Sequence, residues 1–219
     1  MNLSRTARAV LWGFMGFGLS FIYLPLMLVV INSFNKNKSF NWPPTGFTTM
    51  WWTKAASNPG VRDAILLSVL TATFATIIAL ILGSLAAAAI ARYSFFGRDV
   101  ISLIFVLPIA LPGIVTGIAL NNVFTNFFGG LTFFTIIIGH ATFCVVVVFN
   151  NVAARYRRMG SSFEEASMDL GANRITTFRL VTFPMIRNAL VAGGLLSFGL
   201  SFDEIIVTTF TAGAGQTTL

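Results

Sequence analysis

The sequence predicts an all-α integral membrane protein, on three observations. Charged residues make up only 10% of the 219, against 56% hydrophobic, with a mean hydropathy of +0.83. A soluble domain carries about 25% charged residues, so this chain lacks the polar groups to cover a solvated surface. Charges are also missing from long runs: 9–31, 64–91, 100–120, 131–154 and, interrupted by Asp203 and Glu204, 188–210. About 20 apolar residues cross a bilayer as a helix, so five spans are expected within a single transmembrane domain over 1–219. The runs are continuous rather than alternating, which argues against a β-barrel. Ordinary cytosolic enzymes, disordered chains and disulfide-rich secreted scaffolds are excluded. The lone cysteine, Cys144, excludes an internal disulfide and a cysteine-based metal cluster.

The first run follows Arg5 and Arg8, as the core of a signal peptide would. It is too long for one, and no small-x-small cleavage site follows Ile31, so it is expected to be a retained helix. The segment 32–62 carries Trp42, Pro43, Pro44, Trp51, Trp52 and Pro59. Tryptophan favours the membrane–water boundary. Either a short interfacial helix around 48–56 or a passive loop with aromatic anchors satisfies that pattern. The second run is about 42 Å long at 1.5 Å per residue. It exceeds the roughly 30 Å hydrocarbon core, so it must tilt or protrude. The third contains Pro108 and Pro112, which break a helix. The fourth ends at Arg155, Arg157 and Arg158, a stop-transfer cluster.

Basic residues set the orientation. With the N-terminus cytoplasmic, segments 1–8, 92–99 and 155–187 hold Arg5, Arg8, Arg92, Arg98 and the six arginines from Arg155 to Arg187. The opposite side holds Lys36, Lys38, Lys54 and Arg62. The net charge of +7 is thus a topology signal and does not point to nucleic acid.

The cytoplasmic loop 155–187 is too polar to span and too patterned for a linker. Ser162-Phe163-Glu164-Glu165 fits a capping box that starts a helix. Phe163, Ala166 and Leu170 form an apolar stripe. Gly171 suits the left-handed residue that ends a helix. A second short helix is expected over 175–181, with Pro184 beginning the next span.

Glu165-Ala166-Ser167, three residues, Gly171, nine residues, then Val181-Thr182-Phe183-Pro184 resembles the EAA loop of bacterial ABC-importer permeases. Ser167, Val181 and Phe183 are mild departures from Ala, Ile and Leu. Asn32-Ser33-Phe34-Asn35, Gly46-Phe47-Thr48-Thr49, His140-Ala141-Thr142-Phe143-Cys144 and Leu200-Ser201-Phe202-Asp203-Glu204 resemble the polyamine (spermidine/putrescine) subgroup, most closely its second permease subunit. The resemblance covers nearly the whole chain.

It implies a MetI-like type I ABC permease in the bacterial inner membrane, with a sixth helix expected after Leu219. It also implies a sister permease, two ABC ATPase subunits that hold ATP and Mg, and a periplasmic solute-binding protein. The expected ATPase-coupling residues are Glu164, Glu165, Ala166, Ser167, Asp169, Leu170, Gly171 and Pro184. The chain has no phosphate-binding Gly-rich loop with its Lys, so ATP hydrolysis must come from a partner. No catalytic constellation appears, and no cofactor is expected in this chain.

Asp203 and Glu204 interrupt an apolar span, and acids within a membrane are functional candidates by default. Ser197, Ser201, Glu204, Thr208 and Thr211 follow helical spacing as one polar stripe that would line a water-filled path. Asp203 would point elsewhere, toward a neighbouring subunit or an inner-wall hydroxyl. Carboxylates here would attract a di- or polyamine. The competing expectation is a structural pair near the outer end.

In the subgroup an acid follows the proline of the third span, whereas this chain has Gly113. That leaves open another small solute, such as an amino acid derivative. A non-transport membrane protein that docks a cytoplasmic partner is the alternative from another class. His140 and Cys144 are too few for a zinc site, which needs at least three protein ligands. Hydrogen bonding within the bundle is expected of His140.

Overall fold

The computed structural model describes residues 4–39, 42–216 and 218. Its contacts divide the chain into two compact units, Met1–Arg62 and Asp63–Leu219. Every regular element among the described residues is helical. The sixth helix expected after Leu219 lies outside the described residues.

The first unit holds α1 (Arg5–Ser33) and α2 (Met50–Ser57). Ser4 caps α1, its hydroxyl accepting from the Ala7 N–H at 3.2 Å. The helix is apolar on all sides and exposes Phe14, Phe17 and Phe21. The segment that follows is tied down rather than passive. The Lys36 N–H donates to the Gly46 carbonyl at 2.9 Å, and the Thr48 N–H to Phe34 at 2.7 Å. The Trp51 indole donates to the Asn35 carbonyl at 2.9 Å, which fixes α2 against a fully buried Asn35. Thus α2 is the short helix expected around 48–56. Phe40 and Asn41 of this segment lie outside the described residues.

α3 (Pro59–Arg92) crosses from the first unit into the second. Proline in the first turn forgoes only an N–H that would be unpaired anyway. The Asn58 side chain satisfies the Gly60 N–H at 2.9 Å. The second unit continues with α4 (Arg98–Ala110), α5 (Gly113–Phe127), α6 (Phe133–Met159), α7 (Ser162–Asp169), α8 (Arg174–Thr177), a π-helical turn (Phe178–Thr182), α9 (Phe183–Phe202) and α10 (Ile206–Thr211).

α6 is the hub of this unit. Phe143, Val148, Phe149, Val152 and Tyr156 are buried in one cluster with Ala79 and Ala87 of α3 and Ile186 of α9. Glycines let the neighbouring backbones close in. A Cβ on Gly83 would lie 2.9 Å from the Val145 carbonyl, and one on Gly193 would lie 3.3 Å from Val148 Cα. Small residues serve this purpose in membranes, where apolar surface alone gives little drive for helices to associate. Phe105 of α4 stacks on Phe149 with ring centroids 5.1 Å apart.

The third and fifth runs differ from uninterrupted spans at 100–120 and 188–210. The third is two helices. Leu111 is extended, Pro112 caps α5, and α5 continues to Phe127. Pro112 imposes this break, whereas Pro108, expected to break the helix as well, lies inside α4. The fifth begins earlier and ends earlier: α8, the π turn and α9 form one helical stretch, Arg174–Phe202, that stops at Asp203. No separate helix over 175–181 is followed by a new start at Pro184. In a regular helix the Pro184 ring would clash with the carbonyl four residues back. The π turn lies just before it, with the Phe183 N–H reaching the Phe178 carbonyl, so the rod runs on. Among the described residues, four continuous helices are therefore long and apolar enough to cross a membrane: Arg5–Ser33, Pro59–Arg92, Phe133–Met159 and Arg174–Phe202. The broken pair α4–α5 accounts for the third run.

Candidate functional site

Two places gather the residues singled out in the sequence: the turn built on α7, and the break between α9 and α10.

At the first, the capping box expected of Ser162 and Glu165 does not form. Ser161 is the N-cap, and its carbonyl accepts from the N–H groups of Glu164 and Glu165, both at 3.0 Å. This register places Glu164, rather than Glu165, at the third helical position. Glu164 does not reach back to the cap because other groups engage it. Its Oε2 lies 2.7 Å from Nε of Arg92, and its Oε1 accepts from the Thr182 hydroxyl at 2.8 Å.

The C-terminal end follows the sequence expectation closely. Gly171 has φ +88°, the Ala172 N–H donates to the Ser167 carbonyl, and the Gly171 N–H donates to Met168. Those two bonds define a Schellman turn, which needs a left-handed residue at its pivot.

α7 consequently has two distinct faces. Glu164 and Ser167 turn inward, with the Ser167 and Thr177 hydroxyls 3.1 Å apart. Phe163, Glu165, Ala166, Asp169 and Leu170 face outward, Leu170 at 90% exposure. Pro184 lies inside the Arg174–Phe202 rod rather than at a boundary.

At the second place, the rod stops short of the polar stripe expected across 197–211. Asp203 caps α9, and Glu204 lies in the short connection to α10. Oε1 of Glu204 accepts from the Val207 N–H at 2.9 Å, so it caps α10 locally. Asp203 is exposed. Ser197, Ser201, Thr208 and Thr211 do share a side, yet they are buried against α6. The Ser197 hydroxyl donates to the Cys144 carbonyl at 3.2 Å. His140 holds Ser201 and Thr208 at once, each at 2.8 Å. The stripe is thus an interhelical hydrogen-bonded seam in this chain, and Asp203 is the acid left facing outward.

The two helix breaks are neighbours. A Cβ on Gly113, the first residue of α5, would lie 3.6 Å from Ile206, the first residue of α10. Asn121 of α5 donates to the Phe210 carbonyl at 2.7 Å. Thr135, at the start of α6, donates to the Thr211 carbonyl at 2.8 Å. The half-helix α10 is therefore held from both sides. Ordinary van der Waals space at Gly113 means that no close approach demands glycine there.

Sequence reasoning missed Arg92, Tyr156 and Thr182 as partners of the α7 turn. Arg92 stands at the end of the second run, so its side of the membrane was legible. Its pairing with a residue 72 positions away was not.

Residues 79–219 match the family described as the inner-membrane component of binding-protein-dependent transport systems. The chain is 34% identical over 210 residues to the putrescine transport system permease protein PotI of Escherichia coli K12, covering 92% of this chain and 74% of that one. It is 33% identical over 207 residues to the spermidine/putrescine transport system permease protein PotC of the same strain, covering 94% and 78%. It is also 31% identical over 226 residues to the sulfate transport system permease protein CysT of Salmonella typhimurium, covering 96% and 79%. Among solved structures, it resembles that of a bacterial ABC transporter involved in the import of the acidic polysaccharide alginate. The TM-score is 0.70 at 19% identity, over 98% of this chain and 78% of that one. At that identity the likeness concerns the fold.

Proposed function

Since the chain belongs to the family of inner-membrane components of binding-protein-dependent transport systems, we propose that it carries a small organic cation, putrescine or spermidine, into the cell. It is a multi-pass inner-membrane permease and not an enzyme; ATP hydrolysis belongs to separate subunits. Its working partners are a sister permease, two ABC ATPases with ATP and Mg, and a periplasmic binding protein. Its N-terminus lies in the cytoplasm, the orientation that the arginine distribution favours.

The observation that carries this reading is the Arg174–Phe202 rod, about 44 Å long at 1.5 Å per residue. At one end it meets the rigid α7 turn, which presents Phe163, Glu165, Ala166, Asp169 and Leu170 outward. At the other it meets the break that carries Asp203 and Glu204. Displacement of α7 by a closing ATPase therefore reaches the break through one helix. Interrupted helices facing each other are the usual site of solute binding in transporters, and alternating access rocks rigid bodies around such a site. The exposed Asp203 carboxylate supplies the negative charge that an ammonium group needs, with Glu204 beside it.

Gly113 favours a second reading in which the solute is a different small molecule. The polyamine subgroup is expected to carry an acid there, and the break has room for a side chain that this chain lacks.

Purification of the chain from its native membrane in mild detergent, with mass spectrometry of its companions, tests the transporter reading. An ABC ATPase and a second permease are expected, and their absence under ATP-trapping conditions would refute it. Screening of the associated binding protein against putrescine, spermidine and non-amine solutes then separates the two solute readings.

A further inference from the structure

We propose that Glu164 is a positioning residue that rivets the docking helix α7 to the end of α3, rather than a contact for the ATPase. This inference rests on the reading of α7 as the ATPase-docking element.

Three elements meet at its carboxylate, and a fourth, α6, joins them through Arg92. Oε2 lies 2.7 Å from Nε of Arg92, the last residue of α3, and Oε1 lies 3.2 Å from Nη2 of the same guanidinium. The Nη2 contact is a hydrogen bond and the Nε contact a close ion pair, so charge and one directed bond hold the two side chains together. Oε1 also accepts from the hydroxyl of Thr182, the last residue of the π turn. The guanidinium stacks over the Tyr156 ring of α6, 4.9 Å from its centroid. Both charged side chains are largely covered, at 18% and 15% exposure.

The rest of α7 explains why this contact carries mechanical weight. Its apolar side chains face outward, so burial holds it weakly to its own chain. The hydroxyl pair Ser167–Thr177 ties it to the start of the rod, while the Schellman turn only closes its own C-terminal end. The Arg92–Glu164 pair adds α3, a second membrane helix, to the body that α7 drives. A push on α7 then moves α3 and the rod together instead of pivoting about Gly171. Without the pair, ATPase closure would be spent on rotating α7.

The test uses the assembled transporter in membranes, with Arg92→Gln, Arg92→Lys and the exchange Arg92→Glu with Glu164→Arg. Three quantities are read: ATPase retained on the purified chain, ATP hydrolysis stimulated by loaded binding protein, and solute uptake. Arg92→Gln is expected to retain the ATPase while stimulated hydrolysis and uptake fall about tenfold or more, the scale of a strongly interacting pair. Arg92→Lys, which keeps the charge but loses the planar guanidinium over Tyr156, is expected to fall between Arg92→Gln and the unsubstituted chain. The exchange is expected to regain a substantial part of the loss.

Unchanged uptake in Arg92→Gln would overturn the proposal. So would an exchange that binds the ATPase yet works no better than Arg92→Gln. If the exchange does not assemble, Arg92→Lys decides: uptake no better than Arg92→Gln with the ATPase still bound would overturn it. Loss of the ATPase from Arg92→Gln would overturn it as well, since the pair would then be part of docking. Absence of any ATPase on the unsubstituted chain would instead refute the docking reading of α7 itself.

Discussion

Ser201 and Thr208 stand on opposite sides of the helix break at Asp203, and a single imidazole joins them. Nδ1 of His140 lies 2.8 Å from the Ser201 hydroxyl, and Nε2 lies 2.8 Å from that of Thr208. A neutral imidazole has one N–H and one acceptor nitrogen, so both of its hydrogen-bonding positions are used. The break is thereby stitched to α6, and the α9 and α10 halves keep their relative placement although no helical bond spans Asp203–Ile205.

His140→Phe removes both bonds while keeping an aromatic ring. Thr208 retains its bond to the Glu204 carbonyl, but Ser201 is left buried with its partner gone. An orphaned buried hydroxyl costs about 1–3 kcal/mol. The variant is expected to denature at lower temperature in detergent; an unchanged midpoint would contradict the stitch.

Helix packing predicts opposite outcomes for two glycines. Gly83→Ala drives a Cβ to 2.9 Å from the Val145 carbonyl and should separate α3 from α6, lowering stability. Nothing lies within 4 Å of the corresponding position at Gly199. There alanine should stabilise α9 by up to about 1 kcal/mol through helix propensity. Thermal denaturation of the two variants side by side checks the sign of each.

Glu204 combines a cap with a charge, and two substitutions separate them. Glu204→Gln keeps an oxygen for the Val207 N–H, whereas Glu204→Ala loses the cap at a cost of about 1 kcal/mol. Equal stability of the Gln variant with reduced amine uptake would assign the charge to transport. Asp203→Asn, at an exposed acid, is expected to leave stability unchanged and to lower uptake. Normal uptake in both Asp203→Asn and Glu204→Gln would remove these acids from the pathway.

The α7 turn offers a clean contrast between docking and folding. Leu170 is 90% exposed, so Leu170→Glu should not destabilise the chain yet should weaken ATPase retention. Gly171→Ala places a side chain at φ +88° and should cost about 1–2 kcal/mol locally. Quantified co-purification of the ATPase, together with a melting curve, distinguishes the two effects.

Much of this architecture was legible along the chain. Stretches without charge marked where apolar helices lie, Pro112 marked the first break, and Gly171 marked the end of α7. These are local properties: hydropathy acts over some twenty residues, and backbone freedom acts at one. The capping register was a near miss, because Ser161-Ser162-Phe163-Glu164 offers the same pattern one residue earlier. In that register Glu164 is engaged by Arg92 and Thr182, so no reciprocal cap forms there.

The sequence by itself determined a membrane-spanning helical protein with a short helix and glycine turn in its polar loop, since composition and local pattern suffice for that, and its motifs carried the resemblance to ABC-importer permeases. Only the tertiary structure decided what the polar residues do. There the hydroxyls of Ser201 and Thr208 meet His140, Glu204 caps α10, Asp203 faces outward and Glu164 pairs with Arg92. Helical periodicity assumes an unbroken helix and says nothing of what packs against it. Each of these roles depends on a break in the helix or on a partner dozens of residues away, and hydrogen bonds and ion pairs form between groups that folding brings within about 3 Å.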